Sequence, residues 1–216
     1  MRRTLFLLLS ITVVQLYAQR FSFIPKVGYN AAHISGLSED AKTRHGINAG
    51  LSLEYRFSQY FAMETGGYYS MQGTTMTYEL GEELIALELE VENDYITIPL
   101  LVKGYFYKGI YLYAGPQIGF RINSNLNVHG KVSFLDLLEL ENSDNYDISG
   151  YLNNVDFSGV LGLGYQFDIG LMISANYNWG MNKLFNTKKV TFEGLDLLNL
   201  SNTRNKVFQI NIGWSF

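Results

Sequence analysis

Apolar and polar residues alternate along eight separate stretches of this sequence. In the second stretch, for example, Ile47, Leu51 and Leu53 are separated from one another by small or polar residues such as Ser52. Successive side chains of a β-strand point to opposite faces, so each stretch predicts a strand with one apolar and one polar face. The predicted strands cover residues 21–32, 46–57, 61–72, 95–106, 110–121, 155–167, 171–182 and 206–216.

The joins between these strands are alternately short and long. Those near residues 58–60, 107–109 and 168–170 are tight, and those at 33–45, 73–94, 122–154 and 183–205 are long. Strands of about ten residues with this asymmetry are typical of outer-membrane barrels. The sequence therefore predicts an all-β fold, an eight-stranded antiparallel up-and-down transmembrane β-barrel with short periplasmic turns and long extracellular loops.

A soluble barrel of the lipocalin type would show the same alternation with its apolar face inside. Aromatic residues collect at both ends of the apolar band, as in the interfacial girdles of membrane barrels. Phe57, Phe61 and Phe167 mark the periplasmic end, and Phe157 and Trp179 the extracellular end. The girdles favour the membrane barrel and a location in the outer membrane of a Gram-negative cell envelope, surrounded by its lipid.

The N-terminus has the pattern of a secretory signal peptide. Arg2 and Arg3 precede an apolar run from Leu5 to Val14, which is too short to cross a bilayer as a helix. Ala18 is a plausible small residue before a cleavage site. Residues 1–18 are therefore predicted to be a cleaved signal and 19–216 the barrel domain, with an uncleaved anchor helix as the alternative.

The polar faces predict the contents of the barrel. An eight-stranded barrel is about wide enough to be filled by its own side chains. The charged candidates for an interior polar network are Lys26, Glu54, Arg56, Glu64, Lys103, Arg121 and Asp156. Four bases and three acids nearly balance, so we expect a hydrogen-bonded filling; a proton or ion path is the alternative.

The parity of the strands also predicts individual pairs. If Phe57 pairs with Phe61, Glu54 lies opposite Glu64, and two close carboxylates repel unless a base lies against them. Arg56, Lys26 or Lys103 should then lie beside these acids. In the tight turns, Phe106 should pair with Ile110 and Phe167 with Leu171. Each turn would be a three-residue loop closed by a left-handed glycine, Gly109 or Gly170, after a type I turn.

Leucine and other apolar residues are unusually common in the long joins. Join 73–94 also alternates, and its parity changes near Gly73 and Asn93, which predicts a hairpin that continues above the membrane through bulges. These residues either pack on one another as an external cap or form a contact surface for a protein or apolar ligand. The candidate contact residues are Leu87, Leu89, Phe134, Leu137, Leu138, Phe192, Leu197 and Leu198.

Several functional classes lack support in the sequence. A formal net charge of −4 gives no basic footprint for nucleic acid, and without cysteine there is neither a disulfide framework nor a thiolate metal site. His33 and His45 flank one join without a nearby carboxylate, so we expect no metal and no cofactor. No serine occupies a nucleophile-elbow setting, so we expect no enzyme.

Five motifs together resemble the outer-membrane β-barrel domain proteins of Bacteroidota-type bacteria, often called PorT-like. They are Ile98-Pro99-Leu100-Leu101-Val102-Lys103, Tyr113-Ala114-Gly115-Pro116, Val155 to Gly164, Tyr177-Asn178-Trp179-Gly180 and the closing Phe208 to Phe216. The resemblance implies an outer-membrane location, and one branch of the family serves protein secretion. The terminal Trp214 and Phe216 resemble the signal that the barrel-assembly machinery reads.

The sequence thus predicts a non-catalytic integral outer-membrane barrel. It would be a scaffold that presents its extracellular loops to a protein partner, or a secretion or envelope accessory. Two alternatives are a narrow channel for ions or small solutes and a lipid-modifying enzyme with its site at the barrel rim.

Overall fold

The computed structural model describes residues 20–36, 41–80, 85–134, 138–147, 153–184 and 203–216, so the predicted signal at 1–18 lies outside the described residues. These residues form nine β-strands. They are β1 (Phe21–Ser35), β2 (Ala41–Arg56), β3 (Phe61–Leu80), β4 (Ile85–Tyr105), β5 (Ile110–Phe134), β6 (Leu138–Asp147), β7 (Val155–Gln166), β8 (Leu171–Gly180) and β9 (Arg204–Trp214). No helix within these ranges is long and apolar enough to cross a membrane.

Eight of these strands close into the predicted antiparallel barrel. Its order is β1, β2, β3, β4, β5, β7, β8 and β9, and β9 pairs back onto β1. The closing ladder runs from Lys26 opposite Gly213 to Ser35 opposite Arg204. All eight strands predicted from the alternation are present, and the fold is confirmed.

The two faces of the barrel wall have opposite polarity. Leu51, Leu161 and Ile210 lie on the outside and are 51%, 57% and 45% exposed. Glu54 and Glu64 point into the barrel and are each 1% exposed. An apolar exterior around a charged interior is the arrangement that a bilayer requires, and it excludes the lipocalin-type alternative.

The tight turns join the strands as the parity predicts. Phe106 donates its backbone N–H to Ile110, and Phe167 does the same to Leu171. Gly109 and Gly170 have φ angles of +88° and +92°, in the left-handed region. Lys108 also has a positive φ of 43°, so its loop differs from the expected type I turn. Turns with positive φ at the central residues fit the right-handed twist of the adjoining strands.

Above the membrane the wall continues as an open sheet on one side of the barrel. β3 and β4 pair without interruption up to Leu80 opposite Ile85, which confirms the predicted hairpin. β4 remains paired with β5 up to Ile85 opposite Val132, and β5 then pairs with β6. We call this four-stranded region, residues 73–80, 85–92, 123–134 and 138–147, the extracellular sheet.

The long join predicted over residues 122–154 differs from the structure in two respects. β5 continues to Phe134, and β6 was missed. Leu126, Val128, Val132 and Phe134 alternate with polar residues, so a signal for the longer β5 was present in the sequence. β6 carries only Leu138 and Leu140 before a polar run, and its strand forms by pairing with β5.

Register shifts occur at two pairings, on either side of the continuous β3–β4 ladder. One lies between β2 and β3, between Thr43 and Asn48. The other lies between β4 and β5 at Asp94 and Tyr95, where Ile122 is the extra residue. The shift at Ile122 changes which residues of β5 face inward, because Ser124 above it is 1% exposed while Ile122 is 56% exposed.

The depth of a residue in the bilayer should determine how far a charge on the outer face lowers the free energy of unfolding. We expect Leu161→Arg, in the middle of β7, to lower the free energy of unfolding by about 2–4 kcal/mol. The same substitution at Ile110, at the periplasmic end of β5, should cost about 0–1 kcal/mol, because its guanidinium reaches water. Urea unfolding in lipid vesicles measures both. Equal costs at the two positions would contradict the placement of the bilayer.

Candidate functional site

The periplasmic half of the barrel interior contains a cluster of five charged side chains. Lys26 and Lys103 both form ion pairs with Glu64. Lys103 Nζ also lies 2.7 Å from Glu54 Oε2, and Arg56 Nη2 lies 2.9 Å from Glu54 Oε1. The cluster therefore runs as an alternating chain of charges across β1, β2, β3 and β4. We call these five residues the ionic cluster.

Glu54 lies directly opposite Glu64 in the β2–β3 ladder, the pair that the strand parity predicts. The predicted base is present, and Lys103 bridges both carboxylates. The side chains of all three residues are only 1% exposed. Burying these charges singly would cost several kcal/mol each, so each depends on the others for its stability in the interior.

Tyrosines from β4 and β5 surround the cluster on its other side. Tyr105 donates its hydroxyl to Glu54, 2.9 Å from Oε2, and its ring lies under the Arg56 guanidinium, 4.2 Å from the ring centroid. The Lys103 ammonium lies 4.8 Å from the centroid of Tyr111. These contacts combine hydrogen bonding with cation–π attraction. Sequence reasoning missed the tyrosines, although they lie on the polar face of their strands.

Arg121 and Asp156 lie in the extracellular half of the barrel, apart from the ionic cluster. Arg121 donates through Nη2 to Asn154 Oδ1 at 2.8 Å. Asp156 is 8% exposed and lines a small polar space with Asn178 and Asn205. Of the seven predicted charged residues, the structure therefore brings five together and places two higher in the interior.

A layer of amide side chains lines part of the interior above the ionic cluster. Asn48 and Gln209 both donate to Asn30 Oδ1, at 2.7 and 2.8 Å. Asn176 donates to Gln209 Oε1 at 2.8 Å, and Asn211 donates to Asn176 Oδ1 at 3.0 Å. Sequence analysis did not single out Asn30, Asn48, Gln209 or Asn211, although each alternates with an outward-facing apolar residue. The layer links the consecutive strands β8, β9, β1 and β2 of the wall.

The space left between these layers is small. A cavity of about 40 Å³ lies beside Lys26, Glu64 and Tyr113. One water needs roughly 10–15 Å³ measured this way, so the cavity has room for only a few waters. In the part of the chain that the structure describes, this filling matches a closed interior more closely than a continuous pore. The described residues contain no group of three or more His, Asp or Glu side chains placed to hold a metal ion.

A second charged contact fixes the base of the extracellular sheet. Arg44 on β2 reaches across β3 and binds two acids of β4, with Nε 2.7 Å from Glu90 and Nη2 2.7 Å from Glu92. Its Nη1 donates to the Gln72 carbonyl at 2.8 Å. A Cβ at Gly73 would lie 2.0 Å from the Val91 carbonyl and 3.0 Å from Arg44, so this approach requires glycine. We call this contact the Arg44 clamp.

The apolar positions of the extracellular sheet share its axial face, the side that continues the inner wall of the barrel. Inward-facing residues of β4 are odd-numbered, as in Val91, Asn93 and Tyr95, which are 4%, 0% and 1% exposed. Leu87 and Leu89 continue this parity. The apolar positions of β4 thus change from the outer side, at Ile96 and Ile98, to the axial side, as the change of parity in the sequence predicts. The bulges expected in this hairpin are absent, because the β3–β4 ladder is continuous.

The candidate contact residues divide into two groups. The register places positions Leu87, Leu89, Phe134 and Leu138 on the same axial face, since Ile85 pairs with Val132 and Phe134 with Leu138. Leu137, Phe192, Leu197 and Leu198 lie outside the described residues.

Trp214 and Phe216 lie at the periplasmic end of β9 and point outward, 40% and 73% exposed. Phe216 exchanges two backbone hydrogen bonds with Phe23, at 3.0 and 3.3 Å, and thereby extends the closing ladder to the chain's last residue.

A closed antiparallel barrel with an apolar exterior, a charged interior and short periplasmic turns is an outer-membrane protein of the Gram-negative type. The family model described as outer membrane protein beta-barrel domain matches residues 15–186, and the chain belongs to this family. No curated protein matches the chain at the level searched.

Solved structures with a similar fold come from several bacteria. Ail, the attachment invasion locus protein of Yersinia pestis, is 15% identical with a TM-score of 0.44, and the match covers 90% of this chain and 99% of Ail. Neisserial surface protein A is 12% identical with a TM-score of 0.47, covering 90% and 97%. OprG from Pseudomonas aeruginosa is 13% identical with a TM-score of 0.39, covering 90% and 95%.

The bridging role of Lys103 predicts a large effect of its removal. We expect Lys103→Met to lower the free energy of unfolding by about 3–5 kcal/mol, because it leaves two facing buried carboxylates without their shared cation. Adding Glu54→Gln should restore part of the loss, because Glu64 keeps its partner Lys26 while Arg56, which loses its partner, is 38% exposed. Urea unfolding in detergent micelles measures both variants. A double variant less stable than Lys103→Met would show that carboxylate repulsion is not the cause.

Removal of the Arg44 clamp should loosen the extracellular sheet without unfolding the barrel. Hydrogen bonds to charged groups contribute about 1.5–3 kcal/mol each, so Arg44→Gln should raise amide exchange at residues 74–79 and 86–91 by about tenfold or more. Exchange at the lower ends of β7 and β8 should not change. Lys42→Gln, an exposed neutralisation on the same strand, is the matched control. Unchanged exchange in the sheet would contradict the clamp.

Proposed function

We propose that this protein is a non-catalytic outer-membrane scaffold that presents a contact surface to a protein partner outside the cell. The observation that carries the proposal is the extracellular sheet, a four-stranded extension whose apolar positions share the axial face. The extracellular sheet is roughly 25 Å tall along its strands, because β3 contributes eight residues, from Gly73 to Leu80, at about 3.3 Å per residue.

The filled interior supports a scaffold over a channel. The ionic cluster pairs its charges internally, and the amide layer above it joins the side chains of four consecutive strands into one hydrogen-bonded network. The cavity left beside these groups has room for only a few waters, so an ion passing through would have to displace interior side chains. The same internal pairing supports a non-catalytic role, because the buried carboxylates are already bound to bases and hydroxyl groups.

The character of the extracellular sheet supports a contact role. An apolar sheet face is stable in water only when something covers it, either other parts of the same chain or a partner. The Arg44 clamp fixes the base of the sheet and holds this face in a constant direction. A fixed apolar face reduces the ordering cost of binding, so it suits recognition of a partner.

We further propose a place in the PorT-like branch and a role as a secretion or envelope accessory. The five motifs that resemble that branch support it, and the extracellular sheet gives such an accessory a surface. In this proposal residues 1–18 direct export, residues 19–216 form the barrel domain, and Trp214 and Phe216 are read by the barrel-assembly machinery. The outward exposure of both aromatic side chains supports that last role.

In-cell photo-crosslinking tests the contact surface. A photoreactive residue at position 87 or 134, on the axial face, should form an adduct with a second polypeptide in intact cells. The matched control is position 88, which neighbours position 87 but lies on the opposite face of the same strand. We expect no adduct, or a much weaker one, from position 88.

Two results would reject the proposal. Crosslinks from positions 87 and 134 that stay within the same chain would identify the axial face as part of a closed cap. Steady single-channel currents of uniform size from the purified barrel in planar bilayers would favour the channel, since the scaffold should give a quiet trace.

A further inference from the structure

A second cavity lies at the end of the barrel opposite the extracellular sheet and opens to the periplasm. It has a volume of about 590 Å³, within the roughly 300–1,000 Å³ typical of ligand pockets. We call it the periplasmic vestibule. Its floor and rim include Arg56, Tyr60, Tyr105, Lys108, Gln166 and Asp168.

The floor of the vestibule carries excess positive charge. The ionic cluster contains three cations and two anions, so one positive charge is uncompensated within it. Arg56 is the member that reaches the vestibule: its side chain is 38% exposed, against 11% for Lys26 and 1% for Lys103. On the rim, the opposite charges of Lys108 and Asp168 cancel. The charged residues that line the vestibule therefore leave a net positive charge.

The guanidinium of Arg56 is held in a fixed position. Its Nη2 donates to Glu54 Oε1 and to Gln166 Oε1, each at 2.9 Å, while its face lies over Tyr105. A planar cation fixed in this way at the floor of a pocket is arranged to bind a carboxylate or similar anion. Since Gln166 accepts from Arg56 through its oxygen, its amide nitrogen is left to donate to a ligand.

The rim adds groups that suit a polypeptide. Tyr60 and Tyr107 are 55% and 65% exposed and offer aromatic surface beside the opening. The Lys108 ammonium lies 5.1 Å from the centroid of Tyr107. The side-chain amides of Gln59 and Gln166 match the hydrogen-bonding groups of a peptide backbone.

We propose that the periplasmic vestibule binds a carboxylate-bearing polypeptide segment, with the carboxylate on Arg56 and an adjoining apolar side chain against the rim aromatics. This site faces away from the extracellular sheet and is independent of the scaffold role. A barrel with both sites would contact one polypeptide outside the cell and another in the periplasm.

The test uses the full barrel in lipid nanodiscs and an acetylated Ala-Ala-Ala-Phe peptide with a free terminal carboxylate. We expect the peptide to bind, and its C-terminal amide to bind about tenfold more weakly or worse, because a charge-assisted contact is lost. Arg56→Gln should cause a similar loss. Lys108→Gln should weaken binding about two- to threefold, and added salt should weaken it further.

Lys42→Gln, which removes an exposed lysine on the extracellular side, is the matched control and should not change the affinity. Because Arg56→Gln also breaks a contact with Glu54, the amide peptide and Lys108→Gln keep the test valid if that variant fails to fold. Equal binding of the acid and amide peptides would overturn the proposal. So would tighter binding of glucuronate than of the peptide, which would assign the site to an anionic sugar.

Discussion

The hydrocarbon core of a membrane offers no hydrogen-bond partner to the peptide backbone, and the rest of this structure follows from that constraint. A sheet can satisfy every N–H and C=O there only by closing on itself, which β9 and β1 accomplish. Closure sets one face of each strand against lipid and the other toward an interior too narrow for bulk water. The outer residues must then be apolar, and polar residues inside must satisfy one another.

In this barrel, different strands of the wall supply different kinds of interior side chain. The charged side chains of the ionic cluster come from β1 to β4, while the tyrosines that accompany them come from β4 and β5. Lys103 lies where the two groups meet, between the carboxylates of Glu54 and Glu64 and the ring of Tyr111. One ammonium thus joins the electrostatic and aromatic contacts of the interior.

Features governed by local periodicity could be predicted from the sequence, and features governed by distance across the barrel could not. A period of two identifies each strand, and strand parity with turn length places Glu54 opposite Glu64. The contact between Arg56 and Gln166 joins residues 110 positions apart, and it depends on the tilt and stagger of the closed wall. The Arg44 clamp was missed because it spans an intervening strand and needs the backbone of Gly73.

Ile122 lies where the neighbours of β5 change. Below it, each residue of β5 faces either lipid or the filled interior, so a change of polarity at one position affects the barrel wall. Above it, β5 pairs with β4 and β6 in the extracellular sheet. Substitutions above Ile122 therefore act on contacts within the sheet, and this architecture can vary its outer surface without altering the barrel that carries it.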